Sequence, residues 1–142
     1  EGSLLWILGM YRDAAGSELV VVGFNGRVVA LKQATGERMW VHEELSPCEV
    51  RVEVHGDVVY ALGNGQLICL ELASGKERWR STALGRSLLV AGERIYVGGS
   101  GEVACYVASS GERLWNDGFS GMGLGDVAIA VDGRATQADV RK

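Results

Sequence analysis

The sequence predicts an all-β protein built of repeated four-stranded antiparallel sheets, and three observations predict it. A seven-residue phrase returns on a fixed beat: ATGERMW ends at Trp40, ASGKERW at Trp79 and SSGERLW at Trp115. The glycines Gly36, Gly75 and Gly111 keep the same spacing as the tryptophans, 39 and then 36 residues, so the chain is an array of similar units. The stretches before each phrase are short runs rich in Val, Ile, Leu and Tyr, the residues that fit a pleated surface. Between those runs stand Asn25-Gly26, Asn64-Gly65 and Ser100-Gly101. An Asn-Gly pair flanked by apolar runs is the strongest short-range hairpin signal.

The elements follow in order. GSLLW repeats the Gly-to-Trp distance of four with Gly2 and Trp6, so SLLWIL reads as a lone outer strand of another unit. The first full unit gives ELVVVGF, the Asn-Gly turn, RVVALKQ, the turn ATGE and RMWVHEE. The second is preceded by EVRVEVHG, which alternates at Val50, Val52 and Val54 as a half-buried strand does, and continues with DVVYALG, QLICLEL, ASGK and ERWRSTAL. The third runs SLLVAG, RIYVGG, EVACYVA, SSGE and RLWND. A glycine-rich connector, GFSGMGLGD, then leads to a further strand DVAIAV and the polar tail RATQADVRK.

Each unit is thus a meander of four strands. VVYAL and LICLEL are apolar at nearly every residue, which requires burial on both faces, and radial stacking of four-stranded blades in a β-propeller supplies it. Glu37-Arg38, Glu77-Arg78 and Glu112-Arg113 place charge beside each tryptophan, which suits an outer edge strand that must not pair with other chains. The expected organisation is a single half-propeller domain over residues 1–142. Its complete blades fall near 7–44, 45–83 and 84–119, with partial units at 1–6 and 120–142.

The repeat resembles that of the pyrroloquinoline quinone (PQQ)-like β-propellers, with their tryptophan-docking motif: a small residue, a short gap, Thr or Ser, Gly, three residues and Trp. That family includes quinoprotein dehydrogenases and non-enzymatic relatives such as an outer-membrane assembly lipoprotein. The resemblance implies that Trp6, Trp40, Trp79 and Trp115 pack each blade against its neighbour, with Gly36, Gly75 and Gly111 forming the receiving turns. The sequence departs from the family at one place, since Lys32, Glu71 and Val107 stand where the family has Asp.

Composition narrows the function. A net charge of −4, with Lys and Arg scattered among Asp and Glu, disfavours nucleic acid and anionic membranes as partners. The apolar runs are far shorter than a membrane span. Three cysteines without a close pair form neither a disulfide framework nor a zinc site. Cys69 and Cys105 take the place of Ala30 in the first unit and read as small core residues. His42 and His55 are isolated strand-end residues, and GFSGMGLGD lacks the following helix that a phosphate-cradling loop needs. No nucleophile stands beside a base, and the adjacent cysteines of the family's alcohol dehydrogenases are missing, so neither a cofactor, a metal nor catalysis is expected.

The expected role is a non-enzymatic scaffold for protein–protein interaction and self-assembly, with a protein partner on one ring face. The expected oligomer is a homodimer joined through terminal strands, in which each lone outer strand completes the partner's last blade to close a ring of eight. The alternatives are half of a PQQ-dependent dehydrogenase, or a self-assembling repeat fragment with no ligand. Unpaired cysteines and no visible export signal point to the cytoplasm, the family resemblance to the bacterial envelope.

Overall fold

A computed structural model describes residues 18–133. The described residues form an all-β array of three antiparallel sheets. The first holds β1 (Leu19–Phe24), β2 (Arg27–Lys32) and β3 (Arg38–His42) in the order β1-β2-β3. The second holds β4 (Arg51–His55), β5 (Val58–Gly63), β6 (Gln66–Glu71) and β7 (Glu77–Thr82), and the third β8 (Ser87–Ala91), β9 (Arg94–Gly99), β10 (Glu102–Val107) and β11 (Arg113–Asp117). Both are consecutive four-stranded meanders.

The turns form because their residues tolerate a left-handed backbone. Asn25 and Gly26 have φ of 50° and 75°, Asn64 and Gly65 of 52° and 73°, and Ser100 and Gly101 of 53° and 73°. Two successive positive φ values make the tight turn whose twist matches that of antiparallel strands.

β5 is buried at every residue, and its alternation serves two cores at once. Val59, Ala61, Ile68 and Leu70 pack toward the first sheet with Val28, Leu45 and Val50. Tyr60, Leu62, Leu67 and Cys69 pack toward the third with Val90, Ile95, Val97 and Tyr106. A sheet sandwiched between two others has no polar face, which is why VVYALG and QLICLE lack the alternation of a one-sided strand. β4 touches both β1 and β8, so the leading strands converge on one side of the stack while β3, β7 and β11 form the opposite edges.

One expectation lies outside the described residues and another changes. The first sheet has three strands among the described residues, because its leading strand would fall within 7–17, outside them. DVAIAV, expected as a strand, belongs to none. Its residues nonetheless take up the position of a leading strand. The Gly101 amide donates to the Gly125 carbonyl at 2.7 Å as the Gly26 amide donates to that of Cys48 at 2.9 Å. Val127 and Ile129 also crowd Gly98 as Val50 and Val52 crowd Gly23. No strand among the described residues pairs with it, and an extended segment makes a ladder only with a partner.

Candidate functional site at the blade junctions

Each sheet carries its tryptophan in the last strand, opposite a small residue: Ala30 faces Trp40, Cys69 faces Trp79 and Cys105 faces Trp115. The register shifts immediately after each of these pairs, at Ala30/Leu31, Cys69/Leu70 and Cys105/Tyr106. An extra residue at this point bends the edge strand and re-aims its side chains. The small partner leaves room for the indole, which accounts for the two buried cysteines. Burial pushes the Cys69 thiol up to about 11 and raises that of Cys105, so both are protonated and unreactive at neutral pH.

The indoles reach across the junctions. Trp40 covers Gly75 so closely that a Cβ added there would lie 2.5 Å from its Cδ2 and Cε3. Its Nε1–H donates to the Leu72 carbonyl at 2.8 Å. Trp79 covers Gly111 in the same way, and the Ser81 hydroxyl donates to the Gly111 carbonyl. Gly75 and Gly111 have φ of 77° and 80°, values that themselves favour glycine. The second junction also differs from the first in the donor to its carbonyl. The Ala108 carbonyl, counterpart of Leu72, accepts from the Tyr60 hydroxyl at 3.3 Å, and the buried Trp79 Nε1 has no partner among the described residues.

The remaining sequence-derived positions fall at the ends of the stack. Gly36 repeats the φ of 77°, but Trp6, its expected partner, lies outside the described residues. Trp115 is 48% exposed and packs beside Tyr96 of its own sheet at a centroid distance of 6.2 Å. The structure therefore brings Trp40 to Gly75 and Trp79 to Gly111.

One polar cluster escaped sequence reasoning. His42, a strand-end residue as expected but buried, sets Nε2 3.4 Å from Glu77 Oε1 and 4.0 Å from Glu44 Oε1. Arg80 grips both Glu77 oxygens at 2.8 and 2.9 Å and approaches Glu44 at 3.6 Å. The Arg80 bonds hold the Glu77 carboxyl below its usual range, outweighing the burial that would raise it, with His42 adding to the same direction. The three ligand-type atoms lie within 4.8 Å of one another, but Arg80 already supplies the positive charge that a metal would bring. Glu77 lies 35 residues from His42 in another sheet, and only the repeat register could have paired them.

Two clefts open between the sheets on the side of the β4–β5 and β6–β7 turns. One of about 590 Å³ is lined by Glu18, Gln33, Asp57, Glu71 and Arg78, the other of about 350 Å³ by His55, Tyr60, Arg78, Trp79 and Glu93. Arg78 stands 3.6 Å from both Asp57 and Glu71 and offsets part of the negative charge of the wall between the clefts. On the opposite side, the connectors press against the Asn-Gly and Ser-Gly turns and leave Leu84, Met122 and Leu124 78, 80 and 89% exposed.

Comparison with known proteins places this arrangement. No curated protein matches the chain. Among solved structures, BamB from Moraxella catarrhalis superposes with a TM-score of 0.57 at 26% identity, over 70% of this chain and 33% of its own. The quinohemoprotein alcohol dehydrogenase from Comamonas testosteroni superposes at 0.58 with 19% identity, over 87% of this chain and 22% of its own. The computationally designed Ika8 protein reaches 0.67 at 15% identity, over 80% of this chain and 38% of its own. The chain spans about a third of the BamB structure. The last two likenesses establish the fold, a β-propeller. One family model, described as outer membrane protein assembly factor BamB, matches residues 24–121 and 63–139, and the chain belongs to that PQQ-like repeat family.

Proposed function

We propose that the chain is a non-enzymatic propeller scaffold which binds a protein partner on one ring face and closes a larger ring with a second copy through its terminal segments. The observation that carries this reading is the allocation of side chains. Trp40, Trp79, Ser81, His42, Glu77 and Arg80 are all spent on holding one blade to the next. Cys69 and Cys105 are buried opposite indoles. The Trp–Gly contacts act in this reading as the locks that make the array rigid, for Trp6, Trp40, Trp79 and Trp115 alike.

Leu84, Met122 and Leu124 supply the docking chemistry. Their exposure on the connectors of one face supports a protein-binding surface there. Membership of a family described by an outer membrane assembly factor supports a protein partner and association with the bacterial envelope. The test is cross-linking of the purified chain to envelope proteins, beside a variant carrying Leu84→Ser, Met122→Ser and Leu124→Ser. A defined partner lost in the variant is expected. Turnover of an alcohol with added quinone and calcium, with no partner captured by either chain, would overturn the reading.

A further inference from the structure

We propose that Asn64 is a site of spontaneous deamidation in the folded protein, through attack of the Gly65 amide nitrogen on its side chain, whereas Asn25 in the matching turn is protected. This modification is independent of any partner and of how the ring closes.

The two Asn-Gly turns share a sequence and a backbone. Asn25 and Gly26 have φ of 50° and 75°, Asn64 and Gly65 of 52° and 73°. Both asparagines are exposed. In such a pair the glycine nitrogen, having given its proton to hydroxide, bonds to the Asn Cγ. The bond from Cγ to the side-chain nitrogen breaks, and ammonia leaves. Water then opens the cyclic imide at either carbonyl, giving aspartate or an isoaspartate whose main chain runs through the side-chain carbon. Glycine favours the first step because no Cβ crowds the approach. Whatever the left-handed turn costs the ring closure is common to both sites.

What differs is the hold on the glycine. Ring closure turns the glycine amide out of its place in the turn, so any bond that its N–H makes must break. The Gly26 amide donates to the Cys48 carbonyl at 2.9 Å, and a Cβ added at Gly26 would run into the Leu45 and Ser46 carbonyls. The third unit's turn is held in the same way, by the 2.7 Å bond from the Gly101 amide to the Gly125 carbonyl. Among the described residues the Gly65 amide donates to nothing, and an added Cβ would meet only the end of the Leu84 side chain, at 3.2 Å. Here the connector is bonded to the glycine carbonyl instead, which accepts from the Ala83 amide at 3.0 Å.

The surroundings of Asn64 suit the reaction. It lines a cavity of about 280 Å³ together with Arg51, Arg86 and Glu49. The two guanidiniums favour hydroxide and the carboxylate of the product, an effect offset in part by Glu49, which pairs with Arg51 at 3.2 Å and Arg86 at 2.9 Å. The product places a negative charge, and in the isoaspartate an extra main-chain carbon, in the turn that anchors the connector of Leu84.

The experiment is incubation of the full chain at mildly alkaline pH, folded and in urea, with peptide mass spectrometry and enzymatic labelling of isoaspartate. In the folded chain, conversion at Asn64 should run ahead of Asn25 by about fivefold or more, the effect of one hydrogen bond on a rate. The two rates should converge in urea. Asn64→Ser, which supplies the Ser-Gly turn that the third unit already uses, should stay folded and remove the isoaspartate. Hydrogen exchange reads the cause directly: the Gly65 amide should exchange faster than that of Gly26. Equal conversion at the two sites in the folded chain, or faster conversion at Asn25, would overturn the proposal, as would equal protection of the two glycine amides. A ratio unchanged in urea would assign the difference to the following residues, Arg27 and Gln66, and would overturn it as well.

Discussion

Replacing Gly75 by alanine tests the blade junction with an internal control. At φ of 77° the new side chain meets two costs, a left-handed backbone and the Trp40 ring. The first alone is about 1–2 kcal/mol for a residue with a Cβ. Gly56 isolates it, since its φ is 65° and an added Cβ finds nothing within 4 Å. At Gly75 the added carbon would stand 2.5 Å from Cδ2 and Cε3 of the indole. Carbon atoms rest about 3.5–4.0 Å apart, so the ring must withdraw by about 1 Å and give up a quarter to a half of its contact energy on the glycine side. Withdrawal also stretches the 2.8 Å bond from Nε1 to the Leu72 carbonyl. That bond contributes about 1 kcal/mol net. Gly75→Ala should therefore cost about 3–4 kcal/mol in total, about 2 more than Gly56→Ala. Urea unfolding followed by tryptophan fluorescence would show this as a midpoint about 1 M lower than that of Gly56→Ala, at an unchanged slope. Equal midpoints for the two variants would refute the clamp.

Trp79→Ala, in the central sheet, should cost about 3–5 kcal/mol and unfold the domain or split the assembly; an unchanged melting temperature would contradict the packing argument. Tyr60→Phe frees the Ala108 carbonyl for the unpartnered Trp79 Nε1–H. It should cost less than about 1 kcal/mol and slow exchange of that indole proton, and a larger loss with no added protection would show that Trp79 does not take over. In the native chain a thiol reagent should modify Cys48, which is half-buried, while Cys69 and Cys105 wait for unfolding; rapid labelling of all three would refute the core placement. Glu77 has a depressed carboxyl in the folded state, so its contribution is present above its ordinary value of 4.5 and is lost as pH falls through the lower folded value. Glu77→Gln should therefore flatten the acid limb of stability against pH, and an identical acid limb would show that the Arg80 and His42 contacts add nothing.

What was legible in the sequence was everything that repeats. Asn-Gly and Ser-Gly turns need two residues at positive φ, and those residue pairs state the requirement locally, so every hairpin turn between the middle strands could be placed. Unbroken apolar runs gave β5 and β6 two buried faces before any partner sheet was known, because only stacking leaves no polar side. DVAIAV has the same local character and yet pairs with no strand among the described residues, since a ladder requires a neighbour and the segment's own composition cannot supply one.

The candidate site divides in the same way. The recurring Trp and Gly could be read directly, and the bulge after Ala30, Cys69 and Cys105 explains how the indole is turned toward the next sheet. His42 with Glu77 and Arg80, or Tyr60 with Ala108, could not be read, because each couples residues from different blades through side-chain reach. The sequence by itself determined the unit, its turns and its stacking residues, since these follow from backbone preference and hydrophobic period within about forty residues. Only the tertiary structure decided which donor takes each junction carbonyl and which of the three described tryptophans remains exposed. Those outcomes depend on ångström-scale geometry between segments that the chain brings together only when it folds.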